Sequence, residues 1–247
     1  MRKNKIIPIN QFKNNIHKYL IIEMEEIIET KSKQKKHILY PYQNINKVEV
    51  GIDEAGRGCL FGRVYIAGVI LPHNIQELCD EEGIVIKDSK KLNKKSRDKA
   101  RYFIENHALD YNVIYKDNNF IDEYNILQAT LLGMHDVIDG LQISPDKILV
   151  DGDKFIRYYD KNSDEIEHEC VIEGDNTYMS IAAASILAKS YKDEFIKNIV
   201  EEEPELSKYD LVNNSGYGTK THLEAIKKYG ISKYHRKTFG ICKEYTC

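Results

Sequence analysis

The sequence predicts an α/β domain in which a mixed β-sheet is flanked by helices. Two observations carry this prediction: two strand-like apolar runs follow each other early in the chain, and helical and strand-like patterns then alternate. We expect three parts, namely an N-terminal helical extension (1–47), the sheet domain (48–204) and a C-terminal helical portion (205–247).

The extension is predicted from one amphipathic stripe. Apolar residues recur there at gaps of three and four, which places them on one face of a helix. They are Ile9, Phe12, Ile16, Leu20, Met24 and Ile27. The basic run KSKQKK at 31–36 then indicates a linker. We favour packing of this face on the sheet domain, and binding of a partner is the alternative.

The sheet domain is predicted to begin with strands at 48–52 and 64–71, joined as a hairpin by a glycine-rich loop. A helix at 93–107, capped by Asn93, and a short strand at 111–115 follow. Residues 123–141 have helical spacing.

The later elements alternate in type. Strands are predicted at 147–150 and 169–172, and a long helix at 176–202, whose segment SIAAASILAKS is small enough for close backbone packing. A last helix, 220–229, ends at Gly230.

The composition indicates a soluble protein of a reducing, cytoplasmic compartment. Charged residues make up 30% of the chain, and no run approaches the roughly 18 apolar residues that a membrane helix needs. The basic N-terminus is followed by no secretory apolar segment. The five cysteines form no CxxC pair, which argues against a disulfide framework or a zinc site.

The net charge of −3 hides two basic clusters. Residues 87–101 hold eight Lys or Arg against two Asp, and residues 217–247 hold seven against two Glu. Each cluster alone is commonly a solvated face, but two clusters around an acidic site suit a polyanion.

Acidic residues follow predicted strands three times. Asp53 and Glu54 follow the first strand, Asp151 follows 147–150, and Asp175 precedes the long helix. Carboxylates that converge at strand ends suit Mg²⁺ or Mn²⁺, and two such ions about 3.5–4 Å apart clamp a phosphodiester. Each acid alone is also an ordinary turn residue. Adjacent strand residues point to opposite faces, so Asp53 and Glu54 share a site only if the strand ends there or the Glu54 side chain wraps round.

The loop after these acids, Gly56-Arg57-Gly58, departs from a dinucleotide fingerprint because a strand rather than a helix follows it. Glycine lets the backbone approach a small ligand group such as a ribose hydroxyl, while Arg57 meets phosphate. A tight hairpin with an exposed arginine is the alternative.

Four motifs together resemble the ribonuclease HII family of bacterial type. They are DEAGRG at 53–58, DSKKL at 88–92, GDNTYMSIAAASILAK at 174–189, and SGYGTKTHLEAIKKYG with HRKTF at 215–239. The resemblance spans about 48–239 and implies an RNase H-like fold with a helical, substrate-binding C-terminal portion. It implies a metal-dependent endonuclease that cuts RNA in RNA–DNA hybrids, 5′ of a ribonucleotide embedded in duplex DNA, and leaves 3′-hydroxyl and 5′-phosphate ends.

The resemblance also implies residue roles. The four catalytic, metal-binding acids correspond to Asp53, Glu54, Asp151 and Asp175. Residues that meet the ribose hydroxyl or the nearby backbone correspond to Gly56, Arg57, Gly58, Ser89, Lys90 and Tyr217. The 2′-hydroxyl is the group that distinguishes RNA from DNA. Phosphates would be held by the 87–101 cluster and by Lys227, Lys228, Lys233, Arg236 and Lys237.

The chain also departs from the family pattern. Cys59 and Arg63 stand where prolines are usual, and Lys192 stands where arginine is usual, beside Asp193, which is expected to be structural. Residues 1–47 are too short for the DNA-binding domain that precedes the related ribonuclease HIII. The altered loop motivates an alternative, a nuclease of hybrid tracts without junction preference. A non-catalytic hybrid-binding module is the third hypothesis. No membrane association or obligate protein partner is expected.

Overall fold

The computed structural model describes residues 39–245. The amphipathic stripe and the basic linker predicted in the extension lie outside these residues. Within the described part, no helix is long and apolar enough to cross a bilayer.

A mixed sheet forms the centre of the described region, in the strand order β3-β2-β1-β4-β6-β5. The strands are β1 (Glu49–Ala55), β2 (Val64–Ile70), β3 (Asp110–Lys116), β4 (Lys147–Asp151), β5 (Tyr158–Tyr159) and β6 (Glu165–Val171). The first three pair antiparallel, whereas β4 lies parallel to β1, β6 lies parallel to β4, and β5 lies antiparallel to β6. The predicted mixed sheet and hairpin are confirmed.

Helices cover both faces of this sheet. They are α1 (Ile75–Glu82), α2 (Lys94–His107), α3 (Asn118–Asp139), α4 (Met179–Glu202), α5 (Leu211–Asn214) and α6 (Lys220–Tyr229). Asn93 caps α2 as predicted, because its Oδ1 accepts the Ser96 N–H at 2.9 Å. Gly230 ends α6 at φ +73°.

The small residues of α4 allow a very close approach to β1. A Cβ added to Gly51 would lie 2.3 Å from the backbone carbon of Ser180. Alanines of α4 pack there with residues of α1 and α2 in one core cluster. This backbone-to-backbone contact fixes α4, and the residues that precede it, against the strand that carries Asp53 and Glu54.

The opposite face of the sheet is covered by α3, which packs on buried residues of β1, β2 and β4. This helix is interrupted at Asn125, whose φ of 65° and ψ of 164° are not helical. The Asn125 side chain accepts the N–H groups of Leu127 and Gln128 and so begins the second segment. The predicted start at 123 falls close to this break, and the structure adds the preceding turn.

The C-terminal residues form a third core with the glycine-rich loop. Leu60 and Phe61 of the loop pack there with Tyr209, Leu211 and Ile226. The helices and turns after α4 thus support the loop from behind, which is how the fold positions the loop beside the strand ends.

Candidate active site

Asp53 and Glu54 lie on a part of β1 that extends beyond its parallel neighbour. The pairing of β1 with β4 ends at Ile52, whereas the pairing with β2 continues to Ala55. The prediction that the strand ends at residue 52 is therefore wrong, because β2 continues to supply hydrogen bonds. The overhang leaves one side of both acidic residues without a neighbouring strand.

The two acids reach this edge from opposite faces of the strand. Asp53 is buried on the α4 side, where Ser185 hydrogen-bonds its carboxylate and the Glu54 N–H donates to Oδ1 at 2.7 Å. The Glu54 side chain follows the loop, and its Oε1 accepts from Arg57 Nη1 at 3.3 Å. Both carboxylates lie close enough to Asp151 to interact electrostatically. That the longer Glu54 side chain wraps round to share a site with Asp53 stays a prediction.

These carboxylates disfavour one another's charged form. Burial, followed by the charges of Glu54 and Asp151, raises the pKa of Asp53 well above its usual value. Burial raises the pKa of Glu54 too, although Arg57 acts in the opposite direction. These neighbouring carboxylates repel one another when they are ionised, and a bound cation would reduce that repulsion.

Asp151 and Asp175 approach from the next elements of the chain. Asp151 ends β4, and its Oδ1 accepts the Gly174 N–H at 2.8 Å. Asp175 lies in the single turn Gly174–Asn176 that precedes α4. Burial, then the charges of Asp88 and Asp151, raise the pKa of Asp175 to about 6. The structure therefore brings all four predicted acids to one edge of the sheet.

Two residues of this edge were missed by the sequence interpretation. Asp88 is buried beside Asp175 and caps the following turn, because its Oδ1 accepts the Lys90 N–H at 2.9 Å. Its place directly before Ser89 in the DSK motif was an available signal. Ser185 supports Asp53, and nothing in the sequence distinguishes it from the other serines of α4.

The predicted substrate residues Ser89 and Lys90 differ in exposure. Ser89 is buried, and its Oγ lies 3.0 Å from Ser185 Oγ, so the hydroxyl faces the support of Asp53. Lys90 is exposed, and its positive charge partly opposes the rise in the pKa of both Glu54 and Asp175. A contact of Ser89 with substrate stays a prediction.

The glycine loop presents an exposed backbone next to the acids. Arg57 and Gly58 are exposed, whereas Gly56 is buried at φ +101°. A Cβ on Gly58 would lie 3.7 Å from the ring of Tyr217, which is 42% exposed. Cys59 and Tyr217 also form an antiparallel bridge. The loop and the tyrosine that the motifs predicted to act together are therefore neighbours.

The two residues near this loop that depart from the family pattern, Cys59 and Arg63, pack against other groups of the protein. The Arg63 guanidinium stacks between Tyr115 and Phe195, with its central carbon 3.7 and 4.2 Å from the two ring centroids. Cys59 is buried, with Sγ 3.4 Å from the Ser215 carbonyl oxygen. Both side chains thus contact groups of the protein itself.

One predicted phosphate contact is wrong. Arg236 is fully buried beneath the loop, so its guanidinium cannot meet a phosphate at the surface. The other four cations of that set are exposed as expected; they are Lys227, Lys228, Lys233 and Lys237. Asp193 takes the structural position predicted for it, paired with Lys189 at 2.6 Å and Arg97 at 3.1 Å.

A basic groove of about 520 Å³ is lined by α2, α4 and the Ser89–Lys90 turn. Its cations are Lys90, Lys94, Arg97, Arg101, Lys189 and Lys197, and its acids are Asp98, Asp193 and Glu194. Several of these cations are ion-paired, Arg97 with Asp193 and Arg101 with Glu194, so contact of the 87–101 cluster with a polyanion stays a prediction.

The fit of a metal ion can be judged from these side chains. Among residues 39–245, no group of three His, Cys, Asp or Glu side chains is placed to hold an ion in the present arrangement. Protein donors engage the carboxylates instead, including Ser185 at Asp53, Arg57 at Glu54 and the Gly174 N–H at Asp151. The chemistry of the donors still fits a hard divalent cation, because the four acids offer carboxylate oxygens and the charge of Asp151 raises the pKa of the other three.

The fold relates the chain to nucleases of RNase H-like architecture. The crystal structure of ribonuclease H2 from Pyrococcus horikoshii OT3 matches with a TM-score of 0.64 at 25% identity, over 80% of this chain and 96% of that one. A structure of Bst-RNase HIII in complex with Mn²⁺ matches with a TM-score of 0.57 at 18% identity, over 85% of this chain and 70% of that one. The second likeness concerns the fold alone.

Sequence comparison gives the family. The profile described as Ribonuclease HII matches residues 50–242. A ribonuclease HII of Christiangramia forsetii is 48% identical over 200 residues, which cover 81% of this chain and 94% of the relative. The chain belongs to the ribonuclease HII family. It is a type 2 ribonuclease H, a hydrolase that acts on RNA–DNA hybrids.

Proposed function

We propose that this enzyme cuts duplex DNA on the 5′ side of an embedded ribonucleotide, leaving 3′-hydroxyl and 5′-phosphate ends, and that it requires Mg²⁺ or Mn²⁺. The observation that carries the proposal is the juxtaposition of an exposed glycine backbone, a half-exposed Tyr217 and the acidic edge. A ribose hydroxyl is small enough to be recognised by such a backbone, and an aromatic ring can pack on the adjacent nucleotide.

In this proposal Asp53, Glu54, Asp151 and Asp175 hold the ion. The chemistry supplied by a bound divalent cation is activation of water and neutralisation of charge at the phosphodiester. Burial and the neighbouring carboxylates raise the pKa of Asp175 to about 6, so a cation held there would compete with a proton below neutral pH. The Mn²⁺ complex of the Bst-RNase HIII relative is a reason to test both ions.

The remaining residues bind and orient the duplex. Gly56 supplies the turn of the loop, the exposed Arg57 and Gly58 contact the ribose and its phosphate, and Tyr217 packs beside them. The Lys90 ammonium group binds a nearby phosphate. The basic groove along α2 and the exposed lysines of the C-terminal portion hold other phosphates without reading sequence. We also propose that the protein is cytoplasmic. Its three parts are then the N-terminal extension (1–47), the catalytic domain (48–204) and the C-terminal substrate-binding portion (205–247).

The test uses three labelled substrates of one sequence: a duplex DNA with a single ribonucleotide, a full RNA–DNA hybrid and plain DNA. Each is incubated with Mg²⁺, Mn²⁺ or EDTA. A metal-dependent cut immediately 5′ of the ribonucleotide is expected. Equal cleavage of the hybrid and the single-ribonucleotide duplex would favour the alternative without junction preference.

Two variants test the acids. Asp53→Asn and Asp175→Asn are expected to abolish cleavage while binding of the duplex is retained, because amide groups keep the shape but lose the charge that holds the cation. Asp139→Asn serves as the control, since Asp139 accepts the Tyr158 hydroxyl at 2.7 Å and none of the four acids contacts it. Full activity in either test variant contradicts the assignment, and binding without any metal-dependent product in the unmodified enzyme supports a binding module.

A further inference from the structure

Arg236 is a buried cation that lies beneath the glycine loop, residues 56–62. Its side chain is fully buried, and its Nη1 donates to the Arg57 carbonyl oxygen at 2.8 Å while Nε donates to the Gly62 carbonyl oxygen at 3.0 Å. The two carbonyls lie near opposite ends of the loop 56–62. One rigid planar group therefore fixes the loop at two points, which a flexible ammonium group could not do in the same geometry.

No carboxylate forms an ion pair with this guanidinium among the described residues, and Nη2 has no hydrogen-bond partner there. Burial lowers the pKa of Arg236 to about 10, so the group stays charged at neutral pH. A buried cation without a paired carboxylate is unfavourable for stability, although the charge of Asp122 acts on it from a distance, and the two hydrogen bonds to loop carbonyls offset part of that cost. The position of the charge therefore points to the loop it contacts.

The hydrogen bond to Arg57 also affects the next amide. The Arg57 carbonyl and the Gly58 N–H belong to one peptide group, and a charged donor at the oxygen polarises that group and strengthens its N–H as a donor. Gly58 is exposed, and its N–H donates to no backbone or side-chain acceptor within residues 39–245. A substrate oxygen near the loop would thus meet a strengthened donor.

The same segment also sets the position of Tyr217. The backbone N–H of Arg236 donates to the Leu60 carbonyl oxygen at 2.8 Å, and the Leu60 N–H donates to the Gly216 carbonyl oxygen at 2.9 Å. The neighbouring His235 contacts His222 at 3.1 Å between Nε2 atoms, and His222 Nδ1 lies 2.9 Å from the Tyr217 carbonyl oxygen. The loop and the tyrosine are therefore held by two adjacent residues of one segment.

We propose that Arg236 is a positioning residue for ribonucleotide recognition: its guanidinium holds the loop 56–62 at a set distance from Tyr217 and polarises the Arg57–Gly58 peptide toward a substrate oxygen. This inference rests on the proposed function, in which the loop and Tyr217 contact the ribose.

The test compares Arg236→Gln and Arg236→Lys with Tyr209→Phe. The control removes one hydrogen bond, from the Tyr209 hydroxyl to the Gly230 carbonyl oxygen at 3.0 Å, and keeps the ring that packs in the same buried core as the loop. Amide hydrogen exchange of residues 56–62 is measured in the free protein, and kcat and KM are measured on the single-ribonucleotide duplex and on the full hybrid.

Arg236→Gln is expected to speed exchange in the loop but not in β1 or β2, and to lower kcat by about tenfold or more with KM little changed, since phosphates elsewhere set binding. Arg236→Lys keeps the charge, and its loop exchange rate and kcat are expected to lie between those of Arg236→Gln and those of the unmodified enzyme. Tyr209→Phe is expected to lower stability without changing kcat. Unchanged loop exchange, or unchanged kcat despite faster exchange, overturns the proposal.

This design distinguishes failure of the junction function from failure of the Arg236 proposal. If the unmodified enzyme does not cut at a single ribonucleotide, the junction function fails, while loop exchange and kcat on the hybrid still judge Arg236. If both Arg236 variants fail to fold, ¹⁵N-arginine NMR of the unmodified enzyme decides. A guanidinium held at two N–H groups gives separate, slowly exchanging signals, and averaged signals overturn the proposal.

Discussion

Replacing Gly56 and Gly58 one at a time separates a backbone effect from a contact effect. Gly56 has φ +101°, and a Cβ there would lie 3.0 Å from Lys192 Cδ and 3.1 Å from the Arg63 carbonyl oxygen. Strain of this kind costs about 1–3 kcal/mol. For a protein of this size each kcal/mol lowers Tm by about 2–4 °C. We therefore expect Gly56→Ala to lower Tm by roughly 2–12 °C.

Gly58→Ala is the matched control in the same loop. Its φ is not in the left-handed region, and its added methyl group would meet only the Tyr217 ring, at an ordinary contact distance of 3.7 Å. Such a substitution changes the free energy of unfolding by less than about 1 kcal/mol and is commonly stabilising. The methyl group would occupy the space between loop and ring, so cleavage of the single-ribonucleotide duplex should fall by about tenfold or more.

The assay pairs thermal unfolding, followed by circular dichroism without metal, with initial rates on the single-ribonucleotide duplex. The reasoning requires that Gly56→Ala lose stability and that Gly58→Ala lose activity while keeping its Tm. Equal losses of Tm in both variants would refute the backbone argument. Full activity of Gly58→Ala would refute close approach of substrate to the loop.

Three further outcomes are expected. Gly51→Ala should lower Tm more than either loop variant, because its Cβ would overlap the Ser180 backbone at 2.3 Å; an unchanged Tm would contradict the close packing of α4 on β1. Burial lowers the pKa of His222 and lowers that of His235 to about 3, so folding favours the neutral form of both imidazoles. Their contribution to stability is complete above about pH 6.5 and declines as pH falls toward 3, because the unfolded chain binds the protons. Urea midpoints between pH 8 and 5 should show this decline, and His235→Gln should reduce it. Mn²⁺ should raise Tm of the unmodified enzyme more than that of Asp175→Asn, and equal shifts would place the ion elsewhere.

Local sequence patterns predicted the order and type of most elements. Strands and helices with clear apolar periodicity were found close to their predicted ends, and the cap at Asn93 and the stop at Gly230 were confirmed. Helix α1 was missed because its sequence, IQELCDEE, is dominated by acids and buries only Ile75 and Cys79. The start of β6 was placed four residues late, because its first half, EIEH, lacks a continuous apolar run.

The site was predictable only as far as residue types and motifs reach. The four acids were found because each follows or precedes a recognisable element. The extension of β1 to Ala55 depends on its pairing with β2, and such pairing partners are not visible in a single strand. Arg236 was misplaced for a similar reason, since a lysine-rich neighbourhood predicts exposure and only the folded chain shows which cation is enclosed.

Chemical labelling of the Cys59 thiol would report opening of the loop 56–62. The thiol is fully buried against Ser215, and burial raises its pKa, so an alkylating reagent can react only in moments when the loop and the Tyr217 segment separate. Partly exposed Cys170 provides the fast reference in the same sample. The ratio of the two labelling rates would report how often the loop opens, and a bound duplex that closes the loop would slow only the first.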